Sequence, residues 1–352
     1  MTRWLASLLL ALAAGAASAH AGGKVREPVR DPAAGTCLSG KPLRGVNMAG
    51  AEFNTSKMPG QVFKDYTYPT DKDLKYFAEQ GANVIRLPFR WERVQRTLGG
   101  PLDEMEVKVL RKVVDMASAL DLCVILDLHN FGQYAKQKLG SPELPIDRFT
   151  DVWLRLREAF PDPGHVALGL MNEPAHASAR GSWARAAQDT VTALREAGSQ
   201  HLILVSGAGW SGAHDWAARW QGLSNADAFA GFRDPLKRSV LEVHQYADRD
   251  HSGTKGDCMP PERMTKLMGR VTDWARANGH RMFLGEFGVA PTPECLDTLK
   301  AMLASMRDPA WLGWAYWAAG GWWGPKYPFG IHPIAGQPER PQLALLREEW
   351  KP

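Results

Sequence analysis

The sequence predicts an α/β protein, a single-domain (β/α)8 TIM barrel. Short, near-continuous apolar runs recur along the chain, the pattern of parallel strands covered by helices. Amphipathic stretches of helical period lie between them. The alternation yields about eight strand-then-helix units, with no second domain, long linker, repeat or low-complexity tail. A length of 352 residues suits one such barrel, and an apolar fraction of 45% is enough for its core.

The strand candidates in order are LRGVNMAG from Leu43, NVIRLPF from Asn83, CVILDLHN from Cys123 and VALGLMNEP from Val166. HLILVSGAGW from His201, SVLEVHQYAD from Ser239, RMFLGEFG from Arg281 and WLGWAYWAAGG from Trp311 complete the set. Helices are expected over Thr70–Gln80, Leu102–Leu120, Trp183–Ala197 and Pro261–Asn278, the last stopped by Gly279.

Ahead of the barrel, residues 1–19 read as a signal peptide. Arg3 supplies the positive start, Trp4 to Ala14 the apolar segment, and Ala17-Ser18-Ala19 the cleavage site. The apolar run is too short to span a membrane. Residues 20–40, polar and rich in Pro and Gly, form an irregular lead-in, and 41–352 the barrel. The expected location is extracellular or periplasmic, and the expected state a monomer.

Export permits disulfides among the four cysteines. Cys258 and Cys295 flank one helix–strand unit and are the favoured pair. Cys123 opens an apolar run and reads as a buried free thiol, and Cys37 is left without an assigned partner.

Composition narrows the function. The net charge is +4 with both signs mixed along the chain, and no basic stripe favours nucleic acid. No C-x-x-C or H-E-x-x-H pattern supports zinc, and neither a metal nor a cofactor is expected. No G-x-S-x-G elbow marks a serine hydrolase. Gly207 to Gly212 fits G-x-G-x-x-G after a strand, but it lies mid-chain with no strand soon after to complete a βαβ unit. The 14 Trp, against 7 Tyr, lean towards sugar rings, whose flat C–H faces pack on indole, although about half are expected only in the core.

Barrel chemistry sits at the C-terminal strand ends. Polar residues interrupt the apolar runs there: Arg86, His129, Asn130, Asn172, Glu173, His244, Tyr246 and Glu286, with Trp317 in the eighth strand. Burying such groups in a dry core is costly unless they pair or serve a site. Glu242, His244 and Tyr246 alternate along one strand face, and Glu242, deeper in, reads as support paired to a His or Arg. Glu173 and Glu286 then face each other on the fourth and seventh strands. Two carboxyls are what glycoside hydrolysis needs, one to protonate the leaving oxygen and one to attack the anomeric carbon or to activate water. Arg86 and Tyr246 suit the ionised carboxylate, Asn172 a sugar hydroxyl, and His244 the protonation of the acid.

These residues resemble glycoside hydrolase family 5 of clan A. The resemblance rests on Asn172-Glu173-Pro174 after a strand, Arg86, His129, His244-x-Tyr246 and Gly285-Glu286-Phe287-Gly288. It runs from Arg44 to the eighth strand. HQYADRDHSGTKGDC, from His244 to Cys258, is similar to a loop of the endo-β-1,4-glucanase branch, where the closing Cys pairs with one after the seventh strand, here Cys295. The resemblance implies a retaining cellulase with Glu173 as acid/base and Glu286 as nucleophile. It implies Arg86, His129, Asn172, His244 and Tyr246 around them, Trp210 and Trp317 as sugar platforms, and a β-1,4-glucan substrate. The pattern departs in having Ala175 after Asn-Glu-Pro, where many relatives have His, with His176 one further on. No cellulose-binding module is recognisable, which points to soluble or amorphous glucan, or short chains. The alternatives are another β-glycan (mannan, xyloglucan or mixed-linkage glucan) and a non-catalytic carbohydrate-binding protein.

Overall fold

The computed structural model describes residues 35–175, 180–219 and 222–351. The expected signal peptide, most of the lead-in and His176 lie outside them. Eight strands alternate with helices along the chain. They are β1 (Leu43–Met48), β2 (Val84–Phe89), β3 (Cys123–Leu128), β4 (Val166–Gly169), β5 (Leu202–Ser206), β6 (Ser239–His244), β7 (Met282–Glu286) and β8 (Trp311–Ala319). Every neighbouring pair is parallel and β1 joins β8, which closes the barrel. The helices that follow them are α1 (Asp71–Glu79), α2 (Glu104–Ser118), α3 (Ile146–Ala159), α4 (Arg180–Glu196), α5 (Asn225–Phe229), α6 (Pro261–Asn278), α7 (Pro293–Ser305) and α8 (Pro341–Trp350). No helix among the described residues is long and apolar enough to cross a membrane.

Local chemistry sets the ends. Thr70 caps α1 in a reciprocal capping box with Asp73, Asp103 caps α2 and Thr292 caps α7. Pro261, Pro293 and Pro341 open helices where a missing N–H costs nothing. Gly279 closes α6 with φ +69, a left-handed conformation that Gly adopts without strain.

Alternation along the strands builds the interior in two zones. At the N-terminal ends, Leu43, Val84, Cys123, Ile125, Val240 and Phe283 belong to one apolar cluster. Residues of the opposite parity, such as Ile85, Val124 and Leu241, pack in the larger cluster with the helices. Continuing the first parity towards the C-terminal ends leads to Asn47, Arg86, Asp127, His129, Glu242 and His244, all buried. The barrel floor is thus apolar and its mouth ionic.

Two disulfides staple this frame. Cys258–Cys295 forms as expected, with Cα atoms 5.3 Å apart, and ties the loop after β6 to the first turn of α7. Cys123 is not a free thiol: it pairs with Cys37, Cα–Cα 4.9 Å. The single turn Thr36–Leu38 lies against the start of β3 and is anchored by Cys37 N donating to Gly164 O at 2.8 Å. That brings two sulfurs together across 86 residues of sequence.

Candidate active site

Arg86 is the centre of the mouth. It is fully buried on β2, and its Nη1 donates to Glu286 Oε1 and to Asn47 Oδ1, both at 2.9 Å. Its Nη2 donates to Asn172 Oδ1 at 2.7 Å and pairs with Glu242 at 2.9 Å and Asp127 at 3.2 Å. Burial opposes its charge, but the carboxylates of Asp127, Glu242 and Glu286 outweigh burial and hold it cationic. Buried charge of this density persists only when each group is paired.

Glu286 ends β7. Its Oε1 takes the Arg86 bond and its Oε2 accepts the Tyr246 hydroxyl at 2.8 Å, so donors hold both oxygens. Its inward direction comes from an irregularity. β6 and β7 pair in step through Val243–Leu284, then His244 pairs with Glu286, passing over Gly285. The shift moves Glu286 onto the face of Phe283, where strict alternation would have turned it out. Gly285 is required there, because a Cβ would lie 2.0 Å from Glu242 Oε1.

Glu173 follows β4 with φ +40, a strained conformation for a non-glycine residue. Its Oε1 lies 2.8 Å from His244 Nδ1, and the other ring nitrogen of His244 lies 3.0 Å from Glu242 Oε1. Burial works against a charged His244, yet Glu286 nearby and the bonds to Glu173 and Glu242 push it up to about 10. His244 is therefore a cation that donates to both carboxylates. Burial raises the Glu173 carboxyl above its ordinary range, with Glu286 adding to burial and His244 opposing it. Carboxyl oxygens of Glu173 and Glu286 and a His244 ring nitrogen lie within 4.8 Å of one another.

His129 is the neutral counterpart. Burial drives its pKa well below the ordinary value. Its Nδ1 lies 2.7 Å from Asp127 Oδ2 and its Nε2 3.2 Å from Asn172 Nδ2. The Asn172 oxygen is committed to Arg86, so its amide nitrogen faces the ring. His129 Nε2 then accepts, and Nδ1–H donates to Asp127. The ring stacks on Trp317, with centroids 5.7 Å apart.

The structure gathers Arg86, His129, Asn172, Glu173, His244, Tyr246, Glu286 and Trp317 in one mouth, with Glu242 paired to Arg86 and His244 as read. Trp210, 53% exposed, lines a cavity of about 430 Å³ with Glu173, His244 and Tyr246. Asn130 stands apart. Its amide serves Trp91 N, Glu92 and Gln133 O, so it braces loops and does not face the mouth. Among the described residues no helix starts at the Gly207–Gly212 loop, and the next one, α5, begins only at Asn225. Ser211 knots it, accepting from Gly207 N and donating to Glu242 O.

Two site residues were not anticipated. Asn47 fixes Arg86 from β1 while donating to Gly285 O and Ala315 O. Asp127 holds His129 and Arg86 from β3. Both share the signal that marked the others, a polar residue on the inward parity of an apolar run.

Comparison with known proteins agrees with this architecture. The cellulase profile, glycosyl hydrolase family 5, matches residues 46–321. Endo-β-1,4-glucanase A of Emericella nidulans is 31% identical over 296 residues, covering 83% of this chain and 87% of that one. The crystal structure of an endo-β-1,4-glucanase from Xanthomonas axonopodis pv. citri superposes with a TM-score of 0.86 at 42% identity, covering 88% of this chain and 98% of that one. The structure of XacCel5A in complex with cellopentaose gives 0.85 at 44% identity, with 88% and 99% covered. The fold, the paired carboxyls and the match over most of the barrel converge on one assignment: the chain belongs to glycosyl hydrolase family 5, the cellulases, and is a glycoside hydrolase.

Proposed function

We propose that the protein is a secreted endo-β-1,4-glucanase that retains anomeric configuration. The observation that carries this reading is the approach of Glu173 and Glu286 to within 4.8 Å. Carboxyls about 5 Å apart leave no room for a water between nucleophile and sugar, as inversion requires. In the first step Glu286 attacks the anomeric carbon, the C–O bond to the leaving glucan breaks, and the Glu173 O–H proton passes to the leaving oxygen. In the second, the Glu173 carboxylate takes a proton from water, whose oxygen attacks the same carbon and releases Glu286. Arg86 and Tyr246 each donate to one oxygen of Glu286 and orient it towards the mouth. Trp210 and Trp317 serve as sugar platforms, with Asn172 and His129 near the reacting sugar. The names of the relatives and the cellopentaose complex support β-1,4-glucan as the substrate. Residues 1–19 direct export, and the protein acts outside the cytoplasm.

Wild type and Glu286→Gln are to be compared on carboxymethyl cellulose, lichenan and galactomannan, following viscosity and reducing ends. A fast viscosity drop on carboxymethyl cellulose, abolished in the variant, is expected, with the β-anomer as first product by NMR. Activity confined to galactomannan replaces the substrate while keeping the mechanism, and α-anomer first overturns retention.

A further inference from the structure

A second cavity, of about 470 Å³, opens beside the mouth among the loops after β1, β2 and β3. Its volume is in the range of ligand sites. Phe131 belongs to its wall and leans on Trp210, centroids 5.8 Å apart, so it adjoins the cavity that holds Glu173. One side is Thr55 and Met58 on the β1 loop, which Arg93 pins by donating to Phe53 O at 2.6 Å and Pro59 O at 3.0 Å.

The other side is a two-residue hairpin, in which Gln133 pairs with Lys138 and Tyr134 with Gln137. Its turn residues, Ala135 and Lys136, have φ of +47 and +69. Such a turn favours Asn-Gly, and Ala-Lys carries strain in it. The hairpin is held by Glu92, which accepts from Ala135 N at 2.8 Å and from Asn130 at 2.9 Å. Glu92 also lies 3.8 Å from Arg90 Nε, so its charge is committed to loop and arginine. Lys136, exposed on the cavity rim, has no acidic partner among the described residues. A strained turn, fastened by Glu92 and Asn130, thus presents one unpaired ammonium over a preformed cavity whose other charges, Arg90 and Glu92, face each other.

We infer that this cavity receives a carboxylate-bearing substituent of the β-1,4-glucan chain, paired by Lys136, so that the enzyme favours anionic substituted glucans. The inference rests on the proposed glucanase activity. The Phe131–Trp210 contact joins the two cavities, so a substituent on a sugar seated at Trp210 would face the Phe131 wall. Lys136 lines this cavity and not the one that holds Glu173, His244 and Tyr246.

Initial rates on cellopentaose, hydroxyethyl cellulose and carboxymethyl cellulose are to be compared for wild type, Lys136→Gln, Lys136→Arg and Lys138→Gln. Lys138 lies on the same hairpin, outside the cavity lining, and its variant carries the same loss of charge. Lys136→Gln is expected to lower kcat/KM on carboxymethyl cellulose about three- to fivefold at low salt, the size of one exposed ion pair. The loss shrinks in about 0.5 M salt, where such pairs are screened. The two neutral substrates stay within about twofold, Lys136→Arg retains the wild-type ratio, and Lys138→Gln changes nothing. An equal fall in Lys138→Gln, a fall on all three substrates, or no fall at all overturns the inference. Wild type inactive on cellopentaose overturns the glucanase reading instead.

Discussion

At the scale of single residues, the mouth assigns different protonation states to chemically similar groups by what surrounds each one. Glu242 lies against Arg86 and His244, which overcome its burial and hold it ionised, whereas Glu173 bonds His244 but no arginine, and burial with Glu286 nearby keeps it above the usual carboxylate range. A positive neighbour favours the ionised acid, so the His244 charge lowers the Glu173 pKa, and removing it must raise that pKa. His244→Gln is therefore expected to move the alkaline limb of kcat/KM to higher pH while lowering the maximum rate. A limb that moves down or stays would remove His244 from control of the acid; a pH–rate profile decides. The polar strand-end residues were legible because an ionisable group in an apolar run needs a reason. Asn130 adjoins a site residue without sharing its direction: just past the end of β3, His129 turns to Trp317 and Asn172 while Asn130 turns to Trp91 and Glu92. Asn47 and Asp127 escaped although they share the inward parity of Leu43 and Ile125. Tracking parity along each run would have found them.

At the scale of elements, helix ends were legible where the capping chemistry is local, as for Thr70 and Gly279. The slip between β6 and β7 was not. It occurs at Gly285, where the Glu242 carboxylate, held by Arg86, fills the space a side chain would need, a contact between strands that no single run encodes. Nor was the Cys37–Cys123 bridge, whose 86-residue separation leaves no local spacing to read. Loop-closure entropy grows slowly with loop length, so this bridge constrains the unfolded chain somewhat more than Cys258–Cys295, which closes 37 residues. Cys37→Ala/Cys123→Ala is expected to lose about 2–4 kcal/mol in urea unfolding, the typical range for a native bridge. Because Cys123 lies at the apolar end of the barrel, kcat at moderate temperature should be unchanged. A large kcat loss in protein that remains folded would show that the barrel floor and mouth are mechanically coupled.

At the scale of the whole molecule, the barrel followed from counting strand–helix units, since closure needs eight of them whatever the loops contain. How stability varies with pH follows instead from charges that the fold buries. His201 is buried and neutral, lowered to about 4. The unfolded chain binds its proton first, so the stability tied to His201 is present above about pH 6.5 and is lost as pH falls towards 4. Glu52 acts in the opposite direction. It is buried in the loop after β1, its Oε2 accepts Gly50 N at 2.7 Å, and its Oε1 has no hydrogen-bond partner among the described residues. Burial, offset in part by the backbone bonds and reinforced by Asp127 and Glu286, pushes it up to about 8. Between the ordinary carboxyl range and about pH 8 the unfolded chain has released this proton and the folded one keeps it, so stability falls as pH rises through that window. Glu52→Gln removes the titration while keeping an acceptor for Gly50. The variant should match wild type within about 1 kcal/mol at pH 5 and exceed it by on the order of 3–5 kcal/mol at pH 9, from a shift of roughly three units. Urea unfolding at the two pH values measures the difference. A stability gap that is the same at both would mean that Glu52 is already ionised in the folded barrel, with a cationic partner supplied by Arg90 or Arg93 through a local rearrangement.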